Sequence, residues 1–183
     1  MRRRQSLRQG LQKYYRNNPE FTRDRDLQLG WLRIPWQDLQ RHDMMHVVTG
    51  YSTALDDEMQ LVGFLLTALS WRRPWTYYVQ NIGVVMEILW RSCWGQAVGA
   101  SQMQYRPIDI LRFYLAGVRQ GLSIRQPIDA YIDPETVMDE DIESLRQTYG
   151  IKNAGAWDAA IADDSQPDPR EEQRDLIKRN VEY

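Results

Sequence analysis

The seventeen residues from 42 to 58, HDMMHVVTGYSTALDDE, restrict the possible folds of this chain more than any other stretch. They contain His42 and His46, the only two histidines in the sequence. No proline or glycine precedes Gly50 in this stretch, so it can form a helix, and residues four apart on a helix project from the same face. The spacing therefore predicts a helix that presents two imidazoles side by side.

A carboxylate follows on what we expect to be the next helix. Residues 49–52 can interrupt the first helix, and Thr53 with Asp56 three positions later has the pattern of a capping box that opens a second one. A carboxylate directed into a core is costly unless it is paired or bound to a cation. Glu58 would be such a group, because it lies in register with the apolar stripe of that helix, formed by Leu55, Leu61, Val62, Leu65 and Leu69.

Two imidazoles with one or two carboxylates on facing helices describe a site for a divalent metal ion. Zinc is favoured, with magnesium, manganese and iron as alternatives. Two other interpretations stay open: the histidines are ordinary surface or core residues, or Glu58 forms a buried pair with an arginine. Zinc proteases use the same histidine spacing but place a glutamate after the first histidine as general base. Asp43 stands there in this chain, so the sequence does not support protease chemistry.

Length and composition exclude several classes of protein. The 183 residues suit one domain with a substantial core. A formal net charge of −2 argues against a dedicated nucleic-acid binder. The single cysteine, Cys93, excludes an internal disulfide framework and a cysteine-rich zinc module. The most apolar runs, 61–69 and 82–90, are shorter than the ~20 residues that a bilayer requires.

The pattern along the chain predicts an all-α, single-domain multi-helix bundle, because alternating β-branched strands are absent. Residues 1–19 form a basic N-terminal helix or leader. That segment could lie on an anionic membrane surface, direct the chain to an organelle, or pack as the first helix of the bundle, which we favour. Residues 20–151 form the helical domain. Residues 152–183 form an acidic, loosely attached C-terminal tail.

Two central segments suggest a lipid site. The segment 71–75, WRRPW, ends the second helix, and its Arg72 and Arg73 could bind a phosphate or pyrophosphate head group at the mouth of an apolar groove. The alternative is a loop with stacked Arg–Trp pairs. Residues 76–98 form a helix that is apolar over much of its circumference, so it is either central in the bundle or lines a lipid cavity.

Two later helices complete the predicted bundle. Pro107 suits the first turn of one, and its Gly117 and Gly121 would allow another helix to pack closely and leave a homodimer open. The last helix spans 140–149 and ends at Gly150. The core stripe of the Pro107 helix is predicted to consist of Ile108, Leu111, Leu115 and Val118.

The motif H-D-x-x-H-x11-E, formed by His42, Asp43, His46 and Glu58, resembles the signature of the ubiquinone (coenzyme Q) biosynthesis protein 4 family. The resemblance extends over roughly residues 20–151. It implies that all four side chains bind the metal, usually zinc. It also implies a peripheral membrane protein that binds polyisoprenoid quinone precursors and works with other quinone-biosynthesis proteins. The family is linked to oxidative decarboxylation at ring carbon one.

Three functions are consistent with these features. The first is the metal-containing prenyl-lipid protein that the resemblance implies, acting as a decarboxylase or presenting substrate to partner enzymes. The second is a non-catalytic lipid-binding module in which the ion only ties two helices together. The third is a metal-dependent phosphoester hydrolase. For the first, the expected location is the cytoplasmic face of a membrane in a prokaryote or the matrix side of the mitochondrial inner membrane in a eukaryote. The sequence identifies no catalytic residue.

Overall fold

A computed structural model describes residues 5–19, 24–29, 32–70, 83, 86, 89–90 and 105–155. Most of these residues are helical, as the sequence predicts. The described helices are α1 (Leu7–Asn17), α2 (Trp36–Thr49), α3 (Leu55–Ala68), α4 (Pro107–Leu122) and α5 (Ile142–Tyr149), with a 3-10 turn at Pro134–Thr136. Two short strands, β1 (Leu27–Leu29) and β2 (Leu32–Ile34), pair in antiparallel fashion.

Parts of four predictions lie outside the described residues, the first being residues 1–4 of the basic N-terminal segment. Within the predicted helix 76–98, only residues 83, 86, 89 and 90 are described, and all four are helical. Arg72 and Arg73 fall in the undescribed segment 71–82, and the tail is described only as far as residue 155.

The helix α1 packs its apolar face into the core of the bundle. Leu7, Leu11 and Tyr14 are almost completely buried there. Ser6 begins the helix in a capping box with Gln9, which satisfies backbone donors at its first turn. This face is therefore occupied by protein, as expected of the first helix of a bundle.

The helices α3 and α4 contact each other through glycines, which confirms the close packing predicted at Gly117 and Gly121. A Cβ atom on Gly117 would collide with the backbone oxygen of Gln60, and one on Gly63 with that of Tyr114. Backbones approach this closely only where side chains are missing. The contact fixes α3, and hence Glu58, on the bundle.

The predicted core stripe of α4 is wrong. Ile108, Leu111 and Leu115 keep 48%, 40% and 42% of their surface exposed. The glycine face of α4 turns toward α3 instead, because backbone contact with α3 is possible only there. The side of α4 that carries Ile108, Leu111 and Leu115 is consequently left exposed. The buried residues of α4 are Ile110, Gly117 and Gly121, and the half-buried Phe113 and Tyr114 pack on the same side.

The C-terminal end of α2 is held by the last described part of the chain. Arg146 on α5 is buried and donates hydrogen bonds to the backbone oxygens of Val48 at 2.8 Å and Val47 at 3.2 Å. Ala154 donates its backbone N–H to the oxygen of Thr49 at 2.8 Å. These bonds satisfy carbonyl groups that a helix end leaves without helical partners.

Candidate metal centre

The helix α2 presents both histidines on one face, as their spacing predicts. The ring centroids of His42 and His46 lie 4.8 Å apart, and the ring planes are nearly perpendicular. His46 is only 1% exposed, whereas His42 is partly open to solvent. The pair therefore has one buried and one accessible member.

The helix α3 brings Glu58 between the two imidazoles. Its Oε1 lies 3.0 Å from Nε2 of His42, and its Oε2 lies 3.0 Å from Nε2 of His46. One donor atom from each of the three side chains lies within 4.8 Å of the others. This convergence of His42, His46 and Glu58 forms a group that could hold a metal ion, which we call the metal-binding group.

Asp43, the fourth residue of the sequence motif, lies outside the metal-binding group. Its carboxylate is buried and accepts hydrogen bonds from the hydroxyls of Tyr15 at 3.0 Å and Tyr14 at 3.4 Å. Its Oδ1 faces Nδ1 of His42 at 3.5 Å, on the opposite side of the imidazole from Nε2. The geometry therefore places Asp43 behind the His42 ring and outside the three residues that could hold an ion.

The buried histidine has a backbone partner as well. Nδ1 of His46 lies 3.1 Å from the carbonyl oxygen of Tyr51, and the ring of Tyr14 stacks on His46 with centroids 5.4 Å apart. A carbonyl oxygen only accepts, so Nδ1 carries the proton and Nε2 is directed to Glu58. Partners of this kind set the tautomer and orientation of metal-binding histidines.

The three groups form a charged cluster in the protein without metal. Burial disfavours the charged form of His42, but the nearby Glu58 and Asp43 outweigh it and raise the pKa of His42 to about 10. Burial likewise opposes the charge of Glu58, yet His42 and His46 hold the pKa of Glu58 well below its ordinary value. At neutral pH Glu58 is therefore a carboxylate paired with a protonated His42.

The loop between α2 and α3 is fixed by residues that the sequence pattern did not identify. The predicted capping box is wrong, because the hydroxyl of Thr53 donates to the side-chain oxygen of Asn18 at 3.4 Å. The helix α3 begins after Ala54 without a side-chain cap, and Asp57 instead ties the loop to the helix: its Oδ2 accepts from the backbone N–H of Ser52 at 2.9 Å and from the Ser52 hydroxyl at 2.6 Å. The sequence signal that could have identified this contact is an acidic residue in the first turn of α3 that follows a serine in the preceding loop.

The donor set fits a divalent ion. Two imidazole nitrogens and a carboxylate oxygen are common zinc ligands, and a tetrahedral ion with bonds of about 2.0–2.1 Å has ligands about 3.3 Å apart. The 3.0 Å contacts of Glu58 with His42 and His46 lie close to that separation, although they use its two different oxygens, and the donor atoms of the three residues lie within 4.8 Å of one another, so the side chains would close slightly around an ion. Three protein ligands would leave one coordination position open, as in catalytic zinc sites.

An apolar cavity of about 110 Å³ adjoins the metal-binding group, and His42 is part of its wall. Aliphatic residues of α2, α3 and the segment 128–151 form most of the lining. Arg41 lies at its polar side, where it pairs with Asp38 at 2.8 Å and donates to the backbone oxygen of Ile132 at 2.8 Å. The other polar residue in the lining is Asp129.

Within the described residues, no helix combines the length and the apolar character that crossing a bilayer demands. No protein-family model matches the chain, and no curated protein gives a significant match to it.

Proposed function

We propose that this chain is a metal-containing protein that binds a prenylated quinone precursor or a related isoprenoid lipid, of the type found in ubiquinone (coenzyme Q) biosynthesis. The observation that carries the proposal is the dual position of His42, which belongs both to the metal-binding group and to the wall of the apolar cavity. A lipid in that cavity would bring its ring next to the ion. The likeness of the H-D-x-x-H-x11-E motif to the family signature supports the same function.

His42, His46 and Glu58 would hold the ion, with zinc favoured and magnesium, manganese or iron as alternatives. A bound divalent ion would supply a Lewis acid that polarises a ring carboxylate or hydroxyl, or lowers the pKa of a water. Zinc does not change its oxidation state, so an oxidative decarboxylation would require oxygen with iron in the site, or another cofactor.

The residues of the chain itself would bind and orient the substrate. The aliphatic lining would take the apolar tail, since burial of such surface contributes about 25 cal/mol per Å². Arg41 lies beside His42 at the polar side of the cavity and is a candidate partner for an acidic group of the substrate. Arg72 and Arg73 remain candidates for a head group, and both lie outside the described residues.

We place the protein at a membrane surface, where its substrate would be dissolved. The location would be the cytoplasmic face of a membrane in a prokaryote or the matrix side of the mitochondrial inner membrane in a eukaryote. There it would either carry out decarboxylation or present the lipid to other quinone-biosynthesis proteins.

The test is turnover of a prenylated hydroxybenzoate by the purified protein loaded separately with zinc and with iron(II) under oxygen, followed as release of carbon dioxide. We expect turnover in the wild type and in Glu140→Gln, an exposed carboxylate, but none in His46→Ala or Glu58→Gln. Bound lipid that His46→Ala retains, without turnover in any form, would identify a non-catalytic lipid module. Release of phosphate from model esters would instead identify a hydrolase.

A further inference from the structure

Two tyrosines of α1, which are not part of the sequence motif, contact Asp43 beside the candidate metal centre. The hydroxyls of Tyr15 and Tyr14 lie 3.0 Å and 3.4 Å from the two carboxylate oxygens of Asp43. All three side chains are almost completely buried. We propose that Tyr14 and Tyr15 are positioning residues of the metal site, which act on His42 through Asp43. The inference rests on the proposed binding of a metal.

The buried carboxylate of Asp43 requires hydrogen-bond donors. A buried carboxylate is costly unless hydrogen bonds satisfy its oxygens. Each tyrosine hydroxyl donates to a different oxygen, Tyr14 to Oδ1 and Tyr15 to Oδ2. Two donors in two positions fix the plane of the carboxylate.

The carboxylate of Asp43, oriented by the two hydroxyls, contacts the imidazole of His42. Oδ1 of Asp43 faces Nδ1 of His42 at 3.5 Å, and Nε2 on the far side of the ring faces Glu58 at 3.0 Å. A carboxylate behind a metal-binding histidine favours the tautomer whose proton lies on Nδ1, so that Nε2 is available to the ion. Tyr14 adds a second constraint, because its ring stacks on His46. The helix α1 thus supports both histidines.

The alternative is that the tyrosines only pack α1 against α2. Packing predicts that losing a hydroxyl lowers stability and leaves metal affinity unchanged, whereas positioning predicts a change of affinity in a protein that is still folded. Substitution by phenylalanine separates these two cases, because it retains the ring and removes only the hydroxyl.

The experiment is a titration of the full-length, metal-stripped protein with Co²⁺, followed by its visible absorption, with zinc competition as a second readout. Loss of a partner behind a metal ligand typically weakens binding about 10- to 100-fold. We expect the Kd of the Y14F/Y15F double variant to rise by about tenfold or more, with Tyr15→Phe alone giving the larger part. The control is Tyr131→Phe, which removes a hydroxyl from a residue that is 48% exposed and should bind like the wild type. Melting of each metal-free variant verifies that it is folded.

A double-mutant cycle tests whether the tyrosines act through Asp43. Asp43→Asn places an amide behind His42 and should itself weaken binding about tenfold or more. If the tyrosines act only through this carboxylate, Tyr15→Phe should change the Kd much less in the Asp43→Asn background than in the wild type. Equal effects in the two backgrounds would overturn the proposed route.

The outcomes separate this inference from the proposed function. Wild-type protein that binds neither Co²⁺ nor zinc would contradict the metal site itself. Wild-type protein that binds the ion while folded Y14F/Y15F binds it equally well would contradict the positioning role alone.

Discussion

Nδ1 of His46 lies 3.1 Å from the backbone carbonyl oxygen of Tyr51, so the loop that follows α2 helps to set the tautomer of this histidine. The hydrogen bond assigns the proton to Nδ1 and directs Nε2 toward Glu58. The position of this carbonyl depends on Gly50, which ends α2 with φ +77°. The turn that connects α2 and α3 therefore helps to orient a residue of the candidate metal centre.

Gly50→Ala should weaken metal binding as well as folding. A left-handed conformation costs a residue with a Cβ roughly 1–2 kcal/mol, and the new Cβ would collide with the side-chain oxygen of Asn153. The exposed Asn153 side chain can move aside, but the strained backbone at residue 50 should displace the adjoining Tyr51 carbonyl from His46. We expect a lower Tm and a several-fold higher Kd for Co²⁺, measured by calorimetry and by visible absorption.

Gly155→Ala is the matched control for that substitution. Gly155 has φ +79°, but a Cβ there would meet no atom within 4 Å. Gly155→Ala should introduce a similar backbone strain but leave the metal affinity unchanged. Equal Kd values for the Gly50 and Gly155 variants would refute the link between the turn and the site.

The charged cluster predicts how the stability of the metal-free protein depends on pH. The folded pKa of His42 is raised from 6.5 to about 10, so its contribution is complete below pH 6.5 and is lost as the pH rises through about 10. The folded pKa of Glu58 lies below its ordinary 4.5, so its contribution is complete above pH 4.5 and is lost as the pH falls toward the folded value. The cluster should therefore stabilise the fold most between pH 4.5 and 6.5.

Urea unfolding in the presence of a chelator measures this dependence. From pH 6.5 to 10 the free energy of unfolding of the wild type should fall, and that of Glu58→Gln should fall less, because the main group that raises the pKa of His42 is gone. Glu140→Gln, which removes an exposed carboxylate, should follow the wild type. If the free energies of unfolding of the wild type and Glu58→Gln depend on pH in the same way, the carboxylate does not stabilise the protonated form of His42.

The glycine contact between α3 and α4 should tolerate no added methyl group. Gly117→Ala would drive a Cβ into the backbone oxygen of Gln60, and overpacking of this kind costs typically about 1–3 kcal/mol. Gly83→Ala adds the same methyl group at an exposed helical position where nothing lies within 4 Å. At that position we expect the free energy of unfolding to rise by roughly 0.5–1 kcal/mol, because alanine favours a helix more than glycine does. Thermal melting of the two variants distinguishes them, and similar Tm values would contradict the close contact.

Arg146→Gln should loosen the end of the helix that carries both histidines. Its buried guanidinium donates to the backbone oxygens of Val47 and Val48, and hydrogen bonds from charged groups contribute roughly 1.5–3 kcal/mol. We expect chemical denaturation to show a decrease of about that size in the free energy of unfolding. Arg119→Gln, on the exposed side of α4, should change stability by less than about 0.5 kcal/mol. A similar decrease in stability for both variants would contradict the claim that the hydrogen bonds of Arg146 stabilise the end of α2.

Local patterns in the sequence predicted the parts of the site that depend on neighbouring residues. Spacing along α2 placed His42 and His46 on one face, and the apolar register of α3 directed Glu58 inward. Contacts between distant segments left no such pattern. Tyr15 and Asp43 are separated by 28 positions, so nothing local indicates that the tyrosine hydroxyl would occupy a carboxylate expected to bind metal.

The error on α4 has a different cause. Periodicity identifies an apolar stripe, which includes Leu111 and Leu115. It does not show whether that stripe or a face of small residues packs against the neighbouring helix. Gly117 and Gly121 allow backbone contact with α3, so the glycine face turned inward. The short β1–β2 pair was also missed, because three residues per strand are too few to show an alternating pattern.

The most direct test of the metal centre is the metal content of the purified protein, measured by elemental analysis after reloading with zinc and removal of excess ion. The wild type and Glu140→Gln should retain a single zinc ion per chain, and His42→Ala, His46→Ala and Glu58→Gln should each retain well below one. If the wild type retains no ion, or if the three ligand variants retain as much as the wild type, then His42, His46 and Glu58 do not form a metal site.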